Sequence, residues 1–293
     1  MNNVKISIQM VFATILFAGA FIAGKLGSAD FSPVMLTFLR IGLATVILFP
    51  IMLLSEKENW KPNRHEFLLA IKLGIIGMIF YHLFFFTALK YTTVTNASVI
   101  NATMPIITAM LAFIFLKEQI SALKILYIFI AFTGVILTIT QWNLKSLVEL
   151  TFNKGDLIML CGTLSWAIYG IIIKREIQNT SALKMTAFTL LACTLIISPF
   201  AISEMRTTNL LSMPLSSYYS IIYMAIFPTV IGYTIQQNTI KKLGASTASL
   251  FINLVPIFSI VLSVIILKEP ILPLNYISGG MIIFSVYRFA KTS

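Results

Sequence analysis

The chain has 293 residues, of which 58% are hydrophobic and 11% charged, and its mean hydropathy is +0.93. A water-soluble globule of this size needs more polar surface than that, so the chain belongs in a bilayer. The formal charge of +11 excludes nothing by itself, but the basic residues fall in short gaps between apolar runs, where they orient a membrane protein and do not form a nucleic-acid surface.

Runs long enough to cross about 30 Å of hydrocarbon at about 1.5 Å per residue are predicted at 4–26, 33–54, 67–89, 93–116, 122–142, 155–174, 182–202, 216–238, 244–267 and 271–290. Ten spans result, an all-α integral membrane fold. The first run follows a single Lys5 without a small-residue cleavage pattern, so it reads as a span and not a removed signal. Residues 19–26, GAFIAGKL, nearly spell a phosphate-binding loop. Leu26 replaces the hydroxyl residue that would hold magnesium and no strand precedes it, so ATP hydrolysis is not expected. Cys161 and Cys193 lie inside apolar runs without metal spacing and are predicted to be free, buried thiols. The longest connections, 55–66, 143–154 and 203–215, are too short to fold alone.

Placing the N-terminus inside puts fourteen basic residues in inside segments and six in outside ones, with Arg40 left within the second span. That excess orients both termini to the cytoplasmic face of a cell inner (plasma) membrane.

Residues 90–118, KYTTVTNASVINATMPIITAMLAFIFLKE, are written again at 241–269 as KKLGASTASLFINLVPIFSIVLSVIILKE, with ten of 29 positions identical. The identities include Ala97/Ala248, Ser98/Ser249, Pro105/Pro256, Leu116/Leu267, Lys117/Lys268 and Glu118/Glu269. Each copy begins with small and hydroxylated residues, passes a proline, turns wholly aliphatic and aromatic, and stops at Lys-Glu. Five spans separate the copies, an odd number, so the second enters the membrane from the opposite side. The expected organisation is therefore two inverted five-helix repeats, 1–142 and 155–293, joined by a linker at 143–154. A weaker echo relates residues 17–25 of the first span to 166–174 of the sixth.

The two segments of form AS-x6-P-x10-LKE, Arg40 within TFLRIGLA, and the approach AL-K-Y-T at 88–92 resemble the drug/metabolite transporter superfamily, specifically its ten-helix EamA-type permeases. The resemblance implies a transporter and not an enzyme, and a central cavity lined by the first, third, fourth, sixth, eighth and ninth spans. Relatives of that kind are credited with exporting amino acids, purines and other small metabolites.

The residues supply candidates for such a cavity. Tyr81, His82 and Phe85 in the third span, and Tyr233, Gln236 and Gln237 in the eighth, form aromatic and amide faces at helical spacing. Such faces suit a small molecule with an apolar body and a polar end. Phe17, Phe21, Trp166 and Tyr169 offer an aromatic lining, with plain packing as the other reading. Asn101 and Asn253 would each cost a few kcal/mol if left unpaired in hydrocarbon, so they face protein or a wet cavity. Thr92, Thr93, Thr95, Ala97, Ser98, Ala102 and Thr103, with Ser246, Ala248 and Ser249, allow close helix packing. Pro105 and Pro256 free mid-membrane carbonyls and give bends that can gate.

Arg40 is the costliest residue. Pairing with backbone carbonyls at a helix end is the preferred reading, and binding an anionic group of the substrate the alternative. All ten acidic residues lie in loops or at helix ends, which disfavours exchange of cationic drugs for protons and leaves His82, a lysine or water for any proton coupling. The expected function is export of small metabolites such as amino acids by alternating access. The alternatives are uptake or exchange of a purine-like or nucleotide-like metabolite, or a lipid flippase. The expected partners are a small-molecule substrate and the lipid bilayer, with no nucleic acid, no cofactor and no metal, in a monomer or weak homodimer.

Overall fold

Apolar runs of this length leave the helix as the only open backbone arrangement that satisfies its own N–H and C=O groups in hydrocarbon. The computed structural model describes residues 2–91, 100–101, 103–139, 154–177, 180–206, 213–262 and 274–291, and the regular structure among them is helical throughout. In chain order the helices are α1 (Asn2–Asp30), α2 (Pro33–Glu56), α3 (Arg64–Leu73), α4 (Tyr81–Tyr91), α5 (Met104–Leu116), α6 (Ala122–Ile139) and α7 (Lys154–Glu176). They continue with α8 (Ala182–Met205), α9 (Leu215–Met224), α10 (Tyr233–Leu243), α11 (Ala245–Phe251), α12 (Val255–Leu262) and α13 (Leu274–Lys291). Two π-helical stretches, Gly74–Phe80 and Ala225–Gly232, join α3 to α4 and α9 to α10.

Six helical runs among the described residues are long and apolar enough to cross a membrane: Asn3–Asp30, Pro33–Trp60, Arg64–Ala88, Lys154–Glu176, Ala182–Met205 and Leu215–Leu243. Shorter apolar helices cover Met104–Leu116, Ala122–Leu137 and Ala245–Leu254. The chain is thus a multi-pass membrane protein. Thr92, Thr93, Thr95, Ala97, Ser98 and Ala102, Lys268 and Glu269, and residues 143–153 of the expected linker lie outside the described residues, as do the side chains of Phe21 and Pro256.

α2 and α8 pack against each other as an antiparallel pair. Each helix starts for the same local reason, a serine N-cap. Ser32 accepts from the Met35 N–H at 3.0 Å, and Ser181 accepts from the Lys184 N–H at 3.0 Å. Each serine then donates across the interface to the far end of the other helix, Ser32 to Glu204 and Ser181 to Glu56. Halfway along, the hydroxyls of Thr45 and Thr194 stand 3.0 Å apart. Thr45 and Thr194 are 149 residues apart in the chain, and so are Ser32 and Ser181. The same residues therefore serve the contact from both sides.

The surrounding packing is paired in the same way. α1 lies on α9 and α12, while α7 lies on α4 and α5, and α6 and α13 pack on each other at the margin. At the end of the bundle carrying Glu56, Lys184 donates to Glu66 at 2.9 Å and to the Lys61 carbonyl at 3.0 Å, and Thr180 donates to Glu66 at 2.6 Å. At the opposite end Ser217 donates to Asp30. Cys193 is buried, but Cys161 is exposed, contrary to the expectation of two buried thiols. It belongs to a stripe with Leu157, Leu160 and Leu164 on the outer face of α7, all exposed, where an apolar run meets lipid and not protein.

Ser32→Ala and Ser181→Ala are each expected to lower stability by about 1 kcal/mol through loss of the N-cap, with near-additive loss in the double variant because the sites occupy opposite ends of α2. Unfolding of the detergent-purified protein checks this, and an unchanged midpoint in the double variant contradicts it.

Candidate functional site

The site begins with a proline that cannot donate. In an α-helix the Met224 carbonyl would accept from the N–H of residue 228, but Pro228 has none. The backbone widens into the π-helical turn Ala225–Gly232, and the Thr229 hydroxyl donates to the Met224 carbonyl at 2.7 Å in place of the missing N–H. The matching stretch Gly74–Phe80 has glycine where bulk would clash. A Cβ on Gly77 would stand 2.1 Å from Cδ2 of Tyr169, so the glycine lets that ring lie against the turn. Turns of this type inside helices are common at functional sites.

These two turns aim a chain of polar groups at the interior. Arg40, on α2 and only 6% exposed, donates through Nε to Thr229 at 2.9 Å and through Nη2 to the Tyr233 hydroxyl at 3.0 Å. His82 Nδ1 lies 2.6 Å from the Met78 carbonyl and Nε2 lies 2.9 Å from the Tyr233 hydroxyl. A carbonyl can only accept, so Nδ1 carries the proton, Nε2 accepts from Tyr233, and Tyr233 in turn accepts from Arg40. The pairing of Arg40 with backbone carbonyls is thereby corrected. Its partners are two side-chain hydroxyls from the eighth apolar run, brought inward by the π-helical turn.

Beside this chain lies a cavity of about 70 Å³ lined by Phe17, Ala20, Arg40, Tyr81, His82, Phe85, Phe86, Asn101, Met104, Trp166, Tyr233, Gln236, Ile252 and Val255. At roughly 10–15 Å³ per water it has room for a handful of waters or a small organic group. Its aromatic wall is continuous. The Trp166 ring centroid is 4.5 Å from Tyr81, 4.9 Å from Tyr169 and 5.3 Å from Tyr233, and Phe17 is 5.9 Å from Tyr233. Arg40 is the one formally charged side chain among the described residues of the lining.

The structure gathers eight of the residues singled out from sequence around this cavity: Phe17, Tyr81, His82, Phe85, Asn101, Trp166, Tyr233 and Gln236. Tyr169 and Asn253 are not in its lining. Tyr169 stands one layer back, stacked on Trp166 and accepting from Gln237 at 2.8 Å. Asn253 is buried in the short 3-10 segment Ile252–Leu254. Sequence reasoning did not place Ala20, Phe86, Met104, Ile252 and Val255 in the wall, because apolar residues inside a span carry no sign of which way they face. Thr229 was also missed, although Pro228 immediately before it was the available signal.

The helix breaks lie just ahead of the two candidate gating prolines. Before Pro105, the Thr103 N–H donates to the Ile100 carbonyl at 3.0 Å, a tight turn, and α5 then restarts at Met104. Before Pro256 the 3-10 segment Ile252–Leu254 separates α11 from α12. Buried amide atoms, Oδ1 of Asn101 and Nδ2 of Asn253, have no hydrogen-bond partner among the described residues. A second void of about 10 Å³ lies between Ser249, Ile240 and Gly170, sharing Met104, Trp166 and Gln236 with the main cavity.

The pattern of the EamA-like transporter family matches this chain twice, over residues 4–140 and 153–289. An uncharacterized transporter of Bacillus subtilis, YyaM, is 32% identical over 286 residues, covering 98% of this chain and 93% of its own. An uncharacterized transporter of Archaeoglobus fulgidus is 25% identical over 285 residues, covering 97% of each. One crystal structure of a protein superposes with a TM-score of 0.73 at 15% identity, over 94% of this chain and 93% of the other, a likeness of fold alone. The chain belongs to the EamA-like transporter family, whose members carry solutes across membranes and are not enzymes.

Proposed function

We propose that this protein exports small amphipathic metabolites such as amino acids across the plasma membrane, by alternating access of two inverted five-helix halves with both termini in the cytoplasm. The observation that carries this reading is the cavity itself. Its wall draws Phe17, Arg40, Tyr81, His82, Phe85 and Asn101 from the first half and Trp166, Tyr233, Gln236, Ile252 and Val255 from the second. A ligand held there touches both halves, so it senses any motion of one against the other.

Several features support the inverted arrangement. The family pattern recurs in each half, and the α2–α8 contact uses the same residues from opposite directions. The π-helical stretches begin 151 residues apart, the same separation as His82 and Tyr233. In this account the α2–α8 pair is the static seam. The segments before Pro105 and Pro256 are the moving parts, because there the regular α-helix gives way to a tight turn and a 3-10 segment, and a proline follows that cannot donate. The aromatic wall holds the apolar body of the solute and the polar chain from Arg40 to His82 holds its other end.

Purified protein in liposomes is expected to move radiolabelled aromatic or aliphatic amino acids faster than empty vesicles do, and uptake no faster than in empty vesicles contradicts the reading. Trp166→Ala removes the ring on which the wall is built and is expected to weaken half-saturation about tenfold, the effect of roughly one stacked aromatic contact. Tyr233→Phe strips the hydroxyl that joins Arg40 to His82 and is expected to lower stability by about 1–3 kcal/mol, because buried groups on both sides lose their partner. Thermal unfolding in detergent measures this, and a midpoint equal to that of the unaltered protein speaks against the relay.

A further inference from the structure

Arg40 has no counter-ion among the described residues. The ion pairs present there are His65–Glu176, Lys72–Glu176 and Lys184–Glu66, all remote from the cavity. Its two observed acceptors are neutral hydroxyls, and Nη1 donates to nothing among the described residues. A guanidinium has five N–H groups and cannot shed its proton. A buried positive charge satisfied only in part by neutral oxygens is costly, and an anion brought by a ligand relieves that cost.

Resting on the transport reading of the same cavity, we infer that Arg40 recognises a single carboxylate on the transported solute, and that the aromatic wall of Phe17, Tyr81 and Trp166 takes the apolar remainder. Three observations carry this. Arg40 lines the cavity while held rigid at Nε and Nη2, so its free donors are pre-aimed and lose little freedom on binding. Among the described residues it is the sole formally charged group in the lining, which matches a monoanion. A phosphate or nucleotide would bring two or more negative charges against that one cation. Among the described residues the cavity wall holds no carboxylate to receive an ammonium group, so a solute carrying only a cation finds repulsion beside Arg40.

The test uses three probes that share a phenyl ring: phenylalanine, 3-phenylpropionate and phenethylamine. Each is added to the detergent-purified full chain, and the melting temperature reads binding by mass action. Phenylalanine and 3-phenylpropionate are expected to raise it in a concentration-dependent way and phenethylamine to leave it unchanged. A shift with phenylalanine alone still assigns the carboxylate and adds the amine as a second recognised group. Arg40→Gln is expected to abolish the shift and Arg40→Lys to weaken half-maximal stabilisation about tenfold, the loss of a planar fork.

Phenethylamine stabilising as well as phenylalanine overturns the assignment. So does an undiminished carboxylate shift in Arg40→Gln. Because the probe series is read on the unaltered protein, the test holds even where Arg40→Gln fails to fold. Those outcomes leave transport standing, since liposome flux of the same compounds measures it independently of which end of the solute Arg40 holds.

Discussion

Hydrocarbon offers no partner to a peptide group, and the architecture follows from where this chain obeys that constraint and where it departs from it. Most of the described backbone lies in helices that satisfy themselves. The departures are few and placed together: π-helical turns at Gly74–Phe80 and Ala225–Gly232, a tight turn at Thr103 and a 3-10 segment at Ile252–Leu254. The π-helical turns supply carbonyls that side chains take up. Met224 is served by Thr229 and Met78 by His82. The cavity lies where these departures converge, so the polar chemistry of the interior is a consequence of interrupted helices.

The same logic explains why a bare arginine is tolerated in a membrane span. Thr229 is drawn inward by Pro228, and Tyr233 begins the helix that follows the wide turn. Together they place two hydroxyls within 3.0 Å of Arg40. Arg40 thereby fixes Tyr233, Tyr233 fixes His82, and the aromatic rings pack around that line. A rigid polar seam beside an apolar wall is a way to admit one kind of small molecule while the rest of the bundle stays dry.

Much of this was legible from the residues, and the reasons differ by feature. The helical fold and six of the spans were readable because they rest on length and apolar composition, which survive without coordinates. Eight cavity residues were readable because polar and aromatic side chains inside a span have few places to go. The position of Tyr169 was not, since an aromatic residue at helical spacing fits either the lining or the layer behind it, and only its bond from Gln237 decides. The partners of Arg40 were hidden because they lie far along the chain, in a helix whose widened turn cannot be seen in periodicity. The exposure of Cys161 was hidden for a related reason: in lipid, apolar residues are stable on both faces of a helix, so hydrophobicity loses its power to say which face is inside.

Alternating access is the claim on which the functional account stands, and one measurement addresses it most directly. A single cysteine placed at Ala20, in the cavity wall, within a Cys161→Ser, Cys193→Ser background, can be exposed to a membrane-impermeant thiol reagent from either side of a sealed vesicle. The account predicts labelling from both sides, each slowed by a bound carboxylate solute. Labelling from one side only, whatever the solute, would mean that the cavity is a fixed pocket and not a transport path.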